Sequence, residues 1–525
     1  MSIESFDYII VGAGTAGCLL ANRLSQDPSQ RVLLLEAGGP DEDQNIHVPV
    51  AFPFMFQTPL DWAYMTEPQK HCNGRSDYMP RGKMFGGSSS INAMIYQRGN
   101  PANYDAWAAL GNEGWAWDDV LPYFKKAENQ ERGESEYHGV GGPINVADLR
   151  DPNPLSRAFV QATAEQGLPQ NDDFNGETQV GFGLYQVTQK NGLRHSAAVG
   201  YLHPALGREN LTAVPFAQVQ RLTFDGTRCS GVVYRKDGAD HTATVAKEVI
   251  LCTGAINSPQ LLMLSGIGPR EALEQFGIEV IMDLPGVGQN LQDHFMAPVA
   301  YHVHEPITLA AATSEAELVK FQSEGKGMLT SNVGEAGGFL KLSPDAAAPE
   351  LQFHFAPSWF ILHGGGNPEG HGLTLAPGIV GTKSVGYLTL RSADPNDAPI
   401  IDPNYLADPH DLAVIVEGVK IARKIINSPA FNAYRGEEYL PGAAVQTDED
   451  LAEFVRNWAQ NIYHPVGTCK MGNDPMAVVN DRLQVHGVQG LRVADASIMP
   501  FIINANTNIP CIMIGEKCAD LVLAG

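Results

Sequence analysis

The chain has 525 residues, with 59 Asp and Glu against 35 Lys and Arg, for a formal charge of −24. Such a length predicts more than one domain, and the negative field excludes nucleic acid or an anionic bilayer as the main partner. It suits an enzyme that acts on a neutral or cationic small molecule. Seven scattered cysteines, without a C-x-x-C pair, predict reduced, buried thiols in a cytoplasmic protein, and neither disulfides nor a metal site. No secretory signal is expected ahead of the first strand. No apolar run reaches the ~18 residues of a membrane span, which leaves open only peripheral contact with a membrane.

The first strand signal, residues 8–11, runs into Gly12-Ala13-Gly14-Thr15-Ala16-Gly17 and a helix over 15–24. A second apolar strand, 32–35, ends on Glu36 and Ala37. Gly12 permits a tight turn, Gly14 lets backbone approach a pyrophosphate, and Gly17 lets helix pack on strand. The helix start at Thr15 and Ala16 offers free N–H groups and partial positive charge to phosphates. Glu36 stands roughly 20 residues beyond the glycines, where a carboxylate accepts ribose hydroxyls. This β-α-β unit is expected to bind a dinucleotide, FAD or NAD.

Residues 45–80 are rich in Pro and aromatic residues without helical periodicity, and are expected to run extended over the cofactor. Helices are predicted over 101–110 and 117–128, with a crossing between domains at 129–153. Strands then follow at 211–214, 218–222, 229–234 and 248–252, the last entering Thr253-Gly254 and a helix over 258–264. Residues 295–460 look more irregular, apart from Phe353-His354-Phe355, which alternates like a strand facing the substrate side, and helices at 411–426 and 448–460. Another core strand is predicted at 490–495, and an apolar helix at 509–523. The strand signals of one nucleotide-binding sheet thus lie in separate blocks, so its domain must be discontinuous. The α/β prediction places a Rossmann-like domain over 1–155, 210–305 and 465–525, and a second domain over 156–209 and 306–464.

Two further clusters carry chemistry. Arg81-Gly82-Lys83-Met84-Phe85-Gly86-Gly87-Ser88-Ser89-Ser90-Ile91-Asn92 exposes N–H groups and hydroxyls suited to a diphosphate or a flavin edge, with a flexible loop as the plain alternative. The run from Gly254 through Ser258-Pro259 to Gly268 fits, by itself, a turn and a packed helix. Together they resemble the two signature motifs of the glucose–methanol–choline (GMC) oxidoreductases, and the likeness spans nearly the whole chain. Phe85 departs from the pattern, standing where an aliphatic residue or Trp is usual. The resemblance implies a single FAD, and an α+β substrate-binding domain with an antiparallel sheet. It implies FAD contacts from Trp62, Arg81, Met84, Gly86, Gly87, Ser88, Asn92, Ala93, Met94 and Ile95. It adds Val219, Thr253, Gly254, Asp495, Ala496, Thr507 and Asn508, with core packing as the alternative for Trp62 and Met84. Choline oxidase-like members bond FAD to a His just before the equivalent of Asn92. Ile91 stands there in this chain, so the flavin is expected to be non-covalent.

The resemblance also pairs His464 with Asn506 as catalytic residues. Oxidising an alcohol moves a hydride to flavin N5 while the hydroxyl loses a proton. A histidine titrating near neutrality suits the base, and an asparagine donates to the forming alkoxide. An imidazolium acting electrostatically, or a plain core histidine, are the alternatives for His464. His47, His71, His138, His195, His203 and His294 are read as structural, as is His354, for which pocket lining stays open. Residues 185–192, 329–338 and 351–355 look most like the branch oxidising medium-chain aliphatic primary alcohols with a quinone or dye as acceptor. The alternatives are an alcohol oxidase using O2, a choline dehydrogenase, a photodecarboxylase or lyase, and a non-catalytic flavin protein.

Overall fold

The computed structural model describes residues 4–525. Leu211–Val214, Val32–Leu35, Glu4–Val11, Ala239–Leu251 and Leu491–Val493 lie side by side as parallel strands. Val32–Leu35 is buried throughout, as an unbroken apolar run in a parallel sheet covered on both faces should be. Ala239–Leu251 is longer than the sequence predicts. Its C-terminal part continues the parallel sheet, while its N-terminal part pairs antiparallel with Arg228–Lys236, which in turn pairs with Gln218–Asp225. The first helix, Thr15–Leu24, packs on the last, Asn508–Leu523. A Cβ on Gly515 would lie 3.3 Å from Ala16 Cα, so glycine there sets how closely the two approach.

An antiparallel sheet of eight strands forms the second layer. Gly181–Leu184, Ala336–Leu340, Leu351–Ala356, Gly372–Ile379, Val299–Val303 and Arg435–Leu440 follow one another across it. Side chains alternate between its faces. Leu351, Phe353 and Phe355 join a core shared with the helices Pro154–Glu165 and Pro409–Ile426. Gln352, His354 and Ala356 face the opposite way, toward the parallel sheet.

The sequence predicts a more irregular chain over 295–460 with one strand-like stretch at 353–355; the structure has most of this sheet there, and that stretch lies in Leu351–Ala356. Glycines and polar residues inside short strands, as in Ala336–Leu340, erase the period-2 signal. Phe295–Met296 and Val299–Val303 fall in the block 210–305, yet their partners are strands of the second sheet. Conversely, Gly386–Thr389 pairs with Gln289–Leu291 on one side and with Ile400–Asp402 on the other, and Leu388 and Ile401 enter the first core. Residues 45–80 are not wholly extended. Asp43 caps a helical turn at Gln44–His47, and Pro49–Met55 forms a 3-10 helix. The helix Pro154–Glu165 carries an Asn153 cap and Pro at its first position, a start signal not used in the sequence prediction. Every cysteine is a free thiol. Among the described residues no helix is long and apolar enough to cross a membrane.

Gly17 tests the first junction. A Cβ there would lie 1.9 Å from Gly12 O, a backbone atom that no rotamer change can move. Gly17→Ala is expected to cost about 3 kcal/mol or more in thermal or urea unfolding. Gly207→Ala, where nothing lies within 4 Å, should stay within about 0.5 kcal/mol. Equal stability of the two variants would contradict the packing role.

Candidate functional site

A cavity of about 300 Å³ lies between the two sheets. Val11, Leu35 and Cys252, at the C-terminal edge of the parallel sheet, line one side, where open α/β sheets bind ligands. Met296, His354, Ala356, Thr374 and Ala376 of the second sheet line the other.

At one end the chain presents donors. The helices Thr15–Leu24 and Asn508–Leu523 both begin on the cavity without a side-chain cap, so their first N–H groups are left for an anion. Thr15 Oγ1 donates to Asn508 Oδ1 at 2.8 Å and ties the two starts together. Gly12 has φ +92°, and a Cβ there would meet Cys252 O at 2.7 Å. Gly87, with φ +51°, brings the second glycine cluster against the first, since its Cβ would lie 2.7 Å from Gly14 Cα. A Cβ on Gly254 would meet no protein atom within 4 Å and would enter the cavity. Bare backbone, oriented N–H groups and open space fit a pyrophosphate.

The acids here are buried but satisfied. Glu36 accepts from Ala13 N and Gly38 N, each at 2.8 Å, while burial pushes its carboxyl up to about 7. Asp495 accepts from Gly254 N at 2.9 Å, Ser258 Oγ at 2.6 Å and Ser497 N at 2.8 Å, and burial raises it too. It thereby holds a helix start and the loop after Leu491–Val493 in one place. Arg81 also lines the cavity, donating to Ser88 Oγ at 2.6 Å and to Tyr463 O, next to His464, at 2.8 Å.

Thr15, Ala16, Ala37, Trp62, Ser88, Asn92, Ala93, Met94, Ile95, Val219, Thr253, Ala496 and Thr507 also line the cavity. Gly17, Met84 and Gly86 do not. Gly17 packs on Gly12, and Gly86 shapes its loop by donating its N–H to Ala13 O at 2.8 Å. Met84 belongs to a small core with Ile46, Phe52 and Ile91, the packing alternative for that residue.

At the other end, His464 and Asn506 meet as a pair. Asn506 Nδ2 lies 3.2 Å from His464 Nε2, and His464 Nδ1 lies 3.0 Å from His294 Nδ1. Asp293 Oδ1 accepts the main-chain N–H of His464 at 2.8 Å. Burial, reinforced by His294, His354 and Arg81, holds His464 well below the ordinary histidine value. Burial likewise lowers His294 to about 3 and His354 to about 4. This end therefore offers neutral imidazoles in apolar surroundings, able to accept a proton from a hydroxyl. The sequence predicts a structural His294; the structure sets it against His464 from 170 positions away, a separation that leaves no local signal. Phe52 and Phe56, from the segment expected over the cofactor, reach the site along with Gln352 and Phe360, which no residue-level expectation named. His138, by contrast, is a structural residue between Glu128 and Asp173.

Family models described as GMC oxidoreductase match residues 6–296 and 382–515. The chain is 47% identical to an alcohol dehydrogenase (acceptor) of Pseudomonas putida over 99% of its length and 96% of that protein. It is 45% identical to the mitochondrial choline dehydrogenase of Homo sapiens over 99% of its length and 90% of that protein. Among solved structures, pyridoxine 4-oxidase from Mesorbium loti superposes with TM-score 0.90 at 32% identity, covering 98% of each chain. A formate oxidase of Aspergillus oryzae superposes with TM-score 0.94 at 28% identity, covering 100% and 99%.

The carboxyl of Glu36 is raised by burial to about 7, so a ribose expected there would be held in a pH-dependent way. Ribose hydroxyls donate to the ionised form, so affinity follows deprotonation and rises with pH. FAD titrated into apo-protein is expected to bind more tightly at pH 8 than at pH 6, and Glu36→Gln to flatten that dependence. An unchanged dependence in the variant would place the ribose elsewhere.

Proposed function

Since the chain belongs to the GMC oxidoreductase family, FAD-dependent enzymes acting on alcohols, we propose that it oxidises medium-chain aliphatic primary alcohols. The aldehyde is the product, and a quinone or dye-type acceptor takes the electrons. The observation that carries this reading is the substrate end of the cavity. Phe52, Phe56, Met296, Val333, Phe360 and Ile462 line it, a wall suited to an alkyl chain. Among the described residues, the only carboxylates lining the cavity are Glu36 and Asp495, both at the donor end. An alkyl alcohol needs no counter-charge, whereas a quaternary ammonium gains from one. A choline substrate is the second reading, because Phe52, Phe56, Phe360 and Tyr463 would also face such a cation.

We assign the FAD pyrophosphate to the N–H groups around Gly12, Gly14, Thr15 and Asn508, and the adenosine ribose to Glu36. Bound FAD supplies the acceptor for the hydride. His464 Nε2 accepts the hydroxyl proton, and Asn506 Nδ2 donates to the substrate oxygen as negative charge develops. The apolar wall keeps water from the reacting carbon. Ile91 stands in the cavity lining where a bonding histidine would be needed, which supports a non-covalent flavin.

Anaerobic mixing with 1-octanol is expected to bleach the flavin, and choline to do so at least about tenfold more slowly; the reverse order would establish the second reading. His464→Ala should lower the bleaching rate about 100-fold or more, and full retention would relocate the base. With His464 held below the histidine value of 6.5, the acid limb of kcat/KM should fall below pH 6.5, and a limb above it would contradict a neutral resting ring. Acid precipitation should leave the yellow colour in the supernatant, whereas colour in the pellet would show a covalent link.

A further inference from the structure

We propose that Gln352 and His294 are positioning residues that hold His464 neutral with Nε2 bare, through a hydrogen-bond chain whose direction is set by one backbone carbonyl. The inference rests on His464 being the base. Tyr185 donates its hydroxyl hydrogen to Phe353 O at 2.7 Å. A carbonyl only accepts and a phenol has one hydrogen, so the Tyr185 oxygen is left with lone pairs alone. The Gln352 group 3.4 Å from it must then be the donating Nε2. That same Nε2 lies 2.9 Å from Asn506, which therefore presents Oδ1 to Gln352. Its Nδ2 is thereby turned to His464 Nε2, which has to be the acceptor.

A neutral imidazole with a bare Nε2 carries its hydrogen on Nδ1. His464 Nδ1 thus donates to His294 Nδ1, and the hydrogen of His294 sits on its Nε2. His294 Nε2 is buried and meets no hydrogen-bond partner, so this arrangement leaves that N–H unsatisfied in order to keep Nδ1 an acceptor. Asp293 Oδ1 accepts the backbone N–H of both histidines, at 2.8 and 2.9 Å, and so fixes the spacing of the rings. Tyr185, His294 and Gln352 are all buried, so water does not compete for these bonds. Gln352 Oε1 has no partner, an unsatisfied group that the chain tolerates to keep the amide aimed one way.

The test uses FAD-loaded enzyme and follows anaerobic flavin bleaching by 1-octanol against pH. Gln352→Met removes the donor without adding charge, which frees Asn506 to present Oδ1 to His464 Nε2. An acceptor there favours the protonated ring, so the acid limb should move to higher pH, with at least about a tenfold loss at pH 6 that is recovered at pH 9. Gln352→Glu should move the limb further. His294→Gln, which keeps an acceptor for Nδ1, should retain activity within about threefold, whereas His294→Leu should not. A limb that moves in Gln352→Glu but stays in Gln352→Met reports charge alone and overturns the proposal, as does wild-type behaviour in Gln352→Met and His294→Leu. A uniform rate loss with an unmoved limb likewise overturns it, since a merely structural role would act that way. Retained activity in His464→Ala is a separate outcome that removes the base assignment itself.

Discussion

Glu516 is a carboxylate on the last helix with a fully buried side chain. Arg23 of the first helix donates to both its oxygens, Tyr201 donates its hydroxyl at 2.8 Å, and Lys126 stands 3.1 Å away. A buried carboxylate is tolerated only with such a complement of partners, and this one joins opposite ends of the chain. With Ala16 against Gly515, it sets the first helix on the last. Both helix starts then open on one cavity, and the residues just before the last helix land beside His464. The glycine turn and the His464–Asn506 pair depend on this junction to open on one cavity.

From that junction the cavity divides electrically. Its donor end gathers helix starts and two buried acids that hold backbone in place. Its other end has neutral imidazoles, an asparagine and apolar side chains. Burial there favours the neutral form of His464, and the same burial lowers its affinity for a proton. In the proposed reaction, a hydrogen-bond donor for the developing alkoxide would offset part of that weakness. Position and direction of hydrogen bonds thus carry more of the work than the basicity of any one group.

The first β-α-β unit was legible in the sequence because its signals are local. Gly12, Gly14 and Gly17 stand at fixed offsets, and an acid follows the second strand. His464 and Asn506 were named through resemblance, and the structure brings the two side chains together, a pairing that spacing alone does not show. The antiparallel sheet was not legible residue by residue, because its partners are far apart in sequence and its strands are broken by glycine. His294 and Gln352 escaped for a related reason. One sits in an ordinary loop and the other on a strand facing inward, and only the folded chain sets both against the catalytic pair. Met84 shows the converse, a position that motif membership suggests for the cofactor and that packing assigns to the core.

The central claim is that His464 waits as a neutral imidazole with a bare Nε2. Nitrogen-15 NMR of histidine-labelled holoenzyme at pH 7, with the His464 signals assigned by their loss in His464→Asn, measures this directly. The account predicts an unprotonated, pyridine-type Nε2 and a protonated, pyrrole-type Nδ1. A protonated Nε2, whether in the other tautomer or in an imidazolium, would contradict it.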